Sequence, residues 1–390
     1  MHRSRSLVSA ALALALAAAA STPAAAQDAP AELYIDVATH AMPGMGGMGV
    51  LGRLAGGVTG GNAHYGMARH PGMPGRYMDV ALHSSARPGA PASQAVPRGL
   101  RLGDEIDLLA PAARESSNGG TNGATGGHAL ADGGPYTIRY YWGCGEQVRS
   151  GQPATFTMSV RDGKPVNSGR AMTPRSVPQR GISAGPEYAL WPNPSSRRSV
   201  SGKASLAGSH QVSGEGVPAS MRFDLGPAHD FLPELELERE SNDHGTLLSW
   251  NGVEGARAYF IHATVMDGDA IVMWSSAADA YAGPELVDFL PESLVAQWTK
   301  QGTLLGSDAR SCQVPEEVFA AGAPMVQMIA YGNERTITDD SARPGWSVRV
   351  RTKSTAMLMP SGVAAPSARE VGEEAAGEGA KGLLRGLFRR

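Results

Sequence analysis

Cysteine is almost absent from this sequence: only Cys144 and Cys312 occur in 390 residues. No paired cysteines of the zinc-binding kind are therefore present. The catalytic signatures H-E-x-x-H, G-x-S-x-G and the phosphate-binding P-loop are missing too. No apolar run reaches the roughly 20 residues a membrane-spanning helix needs; the stretch Leu7 to Ala20 is about 14 long. Charge of one sign is also lacking. A formal net charge of -3 gives no global attraction to nucleic acid, and no nucleic-acid partner is implied. The acid–base neighbours that do occur, His229-Asp230 and Asp243-His244, are adjacent in sequence. Adjacent residues on a strand point to opposite faces, so these pairs make poor catalytic dyads. A hydrolase whose site is assembled from unrelated loops is kept as a third reading.

What is present begins with the pattern of a secretory signal over residues 1–26. His2, Arg3 and Arg5 precede the apolar stretch, and Ala24-Ala25-Ala26 offers a small-residue cleavage site. The expected mature chain starts near Gln27, without a cysteine there to take a lipid, and its expected location is periplasmic or secreted. An oxidising compartment makes a Cys144–Cys312 disulfide the expectation, although two distant buried thiols would read the same way. Fifty glycines and 27 prolines place much of the length in loops.

Residues 27–75 read as a Gly/Met-rich arm without a sustained period. Alternation then predicts a strand over Arg76–His83, with Met78, Val80 and Leu82 on one face and Tyr77, Asp79, Ala81 and His83 on the other. A second is expected within Leu100–Leu109. Residues 113–134 have the composition of a disordered insertion. Strand signal resumes at Pro135–Trp142 and Ala154–Val160 and continues through Ala204–Leu225 and Pro233–Leu237. Residues 76–244 thus form a first β-rich domain. The arginines of 161–201 look scattered and solvated.

The run Leu247 to Val265, with Trp250, Gly255-Ala256 and Tyr259, resembles the B and C strands of a fibronectin type III module. Ala270–Ser275, Cys312–Phe319, Met325–Tyr331 and Trp346–Leu358 fit the strands that follow. The resemblance covers roughly residues 246–358 and implies a β-sandwich domain, 245–358, with a binding or spacing role. It departs from the pattern by a short helix starting near Pro291, with Leu294, Val295 and Trp298 on one side. Trp250 and Tyr259 read as core residues.

The tail, 359–390, is read as disordered, with a short amphipathic end at AKGLLRGLFRR that offers a membrane-surface contact. The most unusual chemistry is His40, Met42, Met45, Met48, His64, Met67, His70 and Met73. Thioether and imidazole suit Cu(I), and in this respect the segment resembles the Met-rich stretches of bacterial envelope copper-resistance proteins. The competing reading is an arm whose methionines simply pack. The sequence therefore points to an exported, all-β protein of two sandwich-like domains. Its expected function is a non-enzymatic binding or scaffolding module for an unknown envelope protein or ligand, with a copper-binding protein as the alternative.

Overall fold

The computed structural model describes residues 31–43, 64–69, 73–111, 136–161, 164–169, 177, 182, 185–280, 283–339, 341 and 345–360. The segment read as a secretory signal, the segment 113–134 read as an insertion and the tail beyond residue 360 lie outside these. In chain order the strands are β1 (Ala31–Ala41), β2 (Gly75–Ser84), β3 (Ala92–Ala95), β4 (Glu105–Leu108), β5 (Tyr136–Trp142), β6 (Ala154–Arg161), β7 (Lys164–Gly169), β8 (Tyr188–Trp191), β9 (Gly208–Gly214) and β10 (Arg222–Leu225). They continue with β11 (Leu237–Asn242), β12 (Gly245–Trp250), β13 (Ala258–Asp267), β14 (Ala270–Ser275), β15 (Leu305–Gly306), β16 (Ser311–Pro315), β17 (Met325–Asp339) and β18 (Trp346–Leu358). One α-helix, α1 (Glu292–Lys300), interrupts them among the described residues. The chain is mostly β, as its alternation predicts.

One long sheet runs β7-β6-β5-β14-β13-β17-β18-β1-β2-β8, with β15 added beside β13. Two smaller sheets, β10-β9-β3-β4 and β11-β12-β16, complete the strand set. Most pairings are antiparallel, but β1 lies parallel to β18 and β5 parallel to β14. The first of these closes the fold by setting residues 31–41 against 346–356. Strand β1 is a correction to the sequence reading, which left this segment inside an irregular arm. Ala31, Leu33, Ile35 and Val37 alternate as a strand should, but these 11 residues lie between the proposed cleavage site and the glycine-rich run, and the arm's composition masked them.

Two apolar cores sit on one face of this sheet. The first gathers Leu33, Ile35 and Val37 of β1, Met78, Val80 and Leu82 of β2, and Trp346, Val348 and Val350 of β18. Against them pack Val96, Ile106, Val212 and Phe223 from the four-stranded sheet. The second gathers Tyr259, Ile261 and Ala263 of β13 with Met328 and Ala330 of β17, against Leu248, Trp250 and Val314 of the three-stranded sheet. Both cores draw on β18 at even positions, so they lie on the same side. Thr39, Thr352 and Ser354 separate them, and the Thr39 hydroxyl donates to the Leu232 carbonyl at 2.7 Å.

Strand β17 serves both cores through a bulge. Tyr331 opposes Lys353 and Glu334 opposes Arg351, so three steps on β17 match two on β18. The extra residue reverses facing, and both Ala330 and Ile337 thereby turn toward the cores. Gly332 is required there, since a Cβ would stand 2.0 Å from the Thr352 hydroxyl oxygen.

The opposite face of the second core's sheet is apolar as well. Phe260, Ile329 and Tyr331 pack under Val295 and Trp298 of α1 and under Leu286 and Leu290. Burial on both faces explains the unbroken apolar run Ala258–Ile261. Pro291 stands at the helix N-cap, where its missing N–H costs nothing.

Smaller differences follow from turn chemistry. Residues 98–100 form a 3-10 turn ahead of β4, and Pro233–Leu237 is replaced by a strand that begins at Leu237. The Cys144–Cys312 disulfide is present, with the sulfurs 2.10 Å apart. It ties the loop after β5 to β16.

Candidate functional site

Behind the first core, on the sheet's other face, the alternation that buries apolar residues on one side delivers charges to the other. Cross-strand register sets Asp79 of β2 opposite Asp36 of β1, Asp36 opposite Arg351 of β18, and Arg351 opposite Glu334 of β17. The next row holds Tyr77, Ala38, Lys353 and Tyr331. An outer sheet face would ordinarily meet water. Here residues 64–69 and 286–290 cover it, leaving Lys353 1% exposed, Asp79 2%, Arg351 3% and Asp36 4%.

Within this layer the charges are paired. Arg351 grips Asp36 in a two-pronged ion pair, Nε to Oδ1 at 2.7 Å and Nη2 to Oδ2 at 2.5 Å. Lys353 Nζ donates to Asp288 Oδ1 and to the Arg69 carbonyl, both at 3.2 Å. Arg69 closes the set with Nη2 3.0 Å from Asp288 Oδ2. The Phe289 ring lies beneath both cations, 4.7 Å from the Arg351 guanidinium carbon and 4.4 Å from Lys353 Nζ.

The environment sets the protonation of each group. Burial raises the Asp288 carboxyl, but Lys353 and Arg69 overcome this and hold it down at about 2. Burial lowers Lys353, and Asp288 opposes the effect. Burial likewise lowers Arg351, and the Asp36 carboxylate more than restores it. Asp79 is the exception. Burial first, and then the facing Asp36 charge, push its carboxyl up to about 7, against backbone N–H donation from Gly66 and Ala68. Its Oδ2 accepts from Ala68 N–H at 2.9 Å, whereas its Oδ1 has no partner among the described residues.

Residues 64–69 are strapped onto the sheet by four polar contacts from four places. Asp79 takes Ala68 N–H, Lys353 reaches the Arg69 carbonyl, Asp288 holds the Arg69 side chain, and His40 Nε2 meets the Met67 carbonyl at 3.3 Å. Ala68 itself is fully buried against Ala38 and Phe289.

Of the eight proposed metal ligands, the described residues include His40, Met42, His64, Met67 and Met73; Met45, Met48 and His70 lie outside them. His40 is buried in β1. Its Nδ1 is 2.6 Å from the Thr355 hydroxyl, so both ring nitrogens are engaged within the protein. Burial and the Lys353 charge depress it to about 3, so it is neutral at ordinary pH. Tyr77 packs 5.3 Å from the His40 ring and donates to the Met73 carbonyl at 2.8 Å. The fold therefore brings His40, Met67 and Met73 to one neighbourhood, through backbone carbonyls in the case of the methionines. His64 is exposed. No group of three His, Cys, Asp or Glu side chains that could hold a metal ion occurs among the described residues.

The acid–base neighbours are likewise separated in role. Asp230 accepts from Ser205 Oγ, Leu206 N–H and Phe231 N–H, His229 is the last residue of a 3-10 turn, and His244 lies exposed beside Glu146. The sequence reading missed Asp36, Asp288, Arg351 and Lys353. The alternation V-R-V-R-T-K over 348–353 was visible, but ordinary solvated strands show it too. Only the cover from residues 64–69 and 286–290, distant in sequence, turns it into a buried cluster. None of the described helices is long and apolar enough to cross a membrane. The chain matches no family model, no curated protein and no solved structure.

Proposed function

We propose that this chain is an exported protein of the bacterial cell envelope, periplasmic or secreted, that binds or scaffolds a partner rather than catalysing a reaction. One observation carries the reading: the densest set of ionisable groups is sealed beneath residues 64–69 and 286–290 and, Asp79 apart, paired within itself. Buried, mutually satisfied ions fix a structure and offer substrate no access. The disulfide and the basic, apolar start of the sequence support export. Strand orders β11-β12-β16 and β14-β13-β17-β18, with Trp250 and Tyr259 between them, support a fibronectin type III-like module over about 246–358. On this reading residues 76–244 form a second β-rich domain. The test is retention of the mature chain's partner from fractionated envelope, alongside a screen of ester, glycoside and phosphoester substrates. A partner retained in stoichiometric amount with no turnover is the expected result; turnover of any substrate class overturns the non-enzymatic reading.

Copper binding is a second reading, favoured by the approach of the Met67 backbone to His40 and of the Met73 backbone to Tyr77, which packs on the His40 ring. For it to hold, His40 must exchange a hydrogen bond for the ion. Competition with a Cu(I) chelator tests it, and a Met42→Leu, Met45→Leu, Met48→Leu variant separates ligation from packing because it keeps apolar bulk without sulfur.

A further inference from the structure

Two basic stretches a hundred residues apart meet at one end of the first core. Arg98 and Arg101 lie on and just after the 3-10 turn Arg98–Leu100, Arg101 in the left-handed region at φ 60°. Arg197, Arg198 and Lys203 lie on the connection from β8 to β9. Contact between the two segments is direct. Ser205 N–H donates to the Gly99 carbonyl at 2.9 Å. A guanidinium nitrogen of Arg198 stands 2.5 Å from where a Cβ would sit on Gly103, whose φ is +103°. The positive φ at Gly103 favours glycine there.

All five cations are exposed, and none has an ion-pair partner among the described residues. The carboxylates on the same two segments are Asp104 and Glu105, and neither closes an ion pair with them. Asp230, next to Ser205, is committed to Ser205, Leu206 and Phe231. Counting Asp107 of β4 and Asp230 with Asp104 and Glu105, five unpaired cations face four carboxylates, which leaves a local excess of positive charge on a chain whose net charge is -3.

We propose that this end of the molecule is an electrostatic docking surface for the anionic headgroups of a lipid membrane. A single phosphate is selected by donors that converge from buried positions, whereas these five side chains are exposed and spread over two loops. Such an array matches many anionic groups presented together, and each cation near an anionic membrane adds to the attraction. Local charge concentrated at one end also orients a protein that carries no overall positive charge.

The test is co-sedimentation of the full mature chain with phosphatidylglycerol-containing vesicles and with pure phosphatidylcholine vesicles. Three variants accompany it: Arg98→Gln/Arg101→Gln/Arg197→Gln/Arg198→Gln, the milder Arg197→Gln/Arg198→Gln, and removal of residues 381–390. The wild type is expected to bind only the anionic vesicles and to be released between about 0.1 M and about 0.5 M salt. The fourfold variant should bind about a thousandfold more weakly and the twofold variant about thirtyfold, while the tail deletion keeps most of the binding. The exposed twofold variant keeps the test valid if the fourfold one misfolds, as judged by its melting temperature. Failure of the wild type to bind, equal binding by both arginine variants, or tight binding of tripolyphosphate with none to vesicles would overturn the proposal.

Discussion

The two cores lie under one sheet yet are secured by different means. The second has a covalent tie, Cys144–Cys312, and two large aromatics in contact, Trp250 and Tyr259, with ring centres 5.6 Å apart; its rear is covered by the apolar side of α1. The first has no disulfide, and its rear is covered by the ionic layer. Apolar cover stabilises wherever it is placed, whereas ionic cover stabilises only while every partner is present. The second core should therefore lose stability in proportion to what is removed, and the first should fail sharply when one charge is orphaned. The largest effect expected is loss of the disulfide. Its ends are 168 residues apart, and opening a loop of that size costs about 5 kcal/mol in the chain-entropy treatment. Cys144→Ser/Cys312→Ser should fall by that order in chemical denaturation, and a loss below about 1 kcal/mol would remove the covalent half of the comparison.

Trp250→Ala comes next, at about 3 to 5 kcal/mol, because the ring is 5% exposed and its removal leaves a cavity beside Tyr259. Hydrogen exchange adds a second reading of the same variant. Strands β17 and β18 run through both cores, so destabilisation should also raise exchange at Val348 and Val350 of the first. Unchanged protection there would show that the cores open independently.

How much of this was legible differs between the same two regions. The second core could be read because its signals are local: Trp250, the Gly255 turn and Tyr259 fall within ten residues, and the helix starts at Pro291. In the first core, the outward and inward faces of β2 were legible from alternation in Arg76–His83. Its neighbour β1 was not, although Leu33, Ile35 and Val37 alternate there, because it was read together with the glycine-rich run that follows it, and its partner β18 is more than 300 residues away. The disulfide was legible from cysteine scarcity. The ionic layer was not, since its burial depends on residues 64–69 and 286–290 meeting over a strand face that reads as solvated.

A smaller but sharper effect probes that layer. Arg351→Met leaves Asp36 buried without its two donors, and a loss of about 3 to 4 kcal/mol is expected. Adding Asp36→Leu should return much of it, because a paired apolar replacement orphans nothing. Thermal denaturation of both single variants and the double variant gives the coupling. If the double variant is no more stable than Arg351→Met, the pair is not coupled, and the ionic layer does not depend on mutual satisfaction.

The smallest effect has the opposite sign. Asp79 is raised from its ordinary 3.8 to about 7, chiefly by burial and then by Asp36. The folded protein therefore holds a proton that the unfolded chain has released between about pH 4 and pH 7. Stability from this group is full below about pH 4 and is lost as the pH rises to about 7. His40 and His262 oppose it: burial lowers them to about 3 and about 4, so their contribution is full above about 6.5 and is lost on acidification. These slopes partly cancel in the wild type between about pH 4 and pH 6.5. Asp79→Asn removes one of them while keeping an acceptor for Ala68 N–H. The variant should be more stable than the wild type at pH 8 by about 1 to 2 kcal/mol, a discounted share of the roughly 4 kcal/mol that a three-unit shift represents. It should then lose stability more steeply than the wild type from pH 6.5 to pH 4. Melting curves across that range decide it: a variant less stable than the wild type at pH 8 would mean that the Asp79 carboxylate supports the strap as an ion, and that the layer has no unpaired charge to relieve.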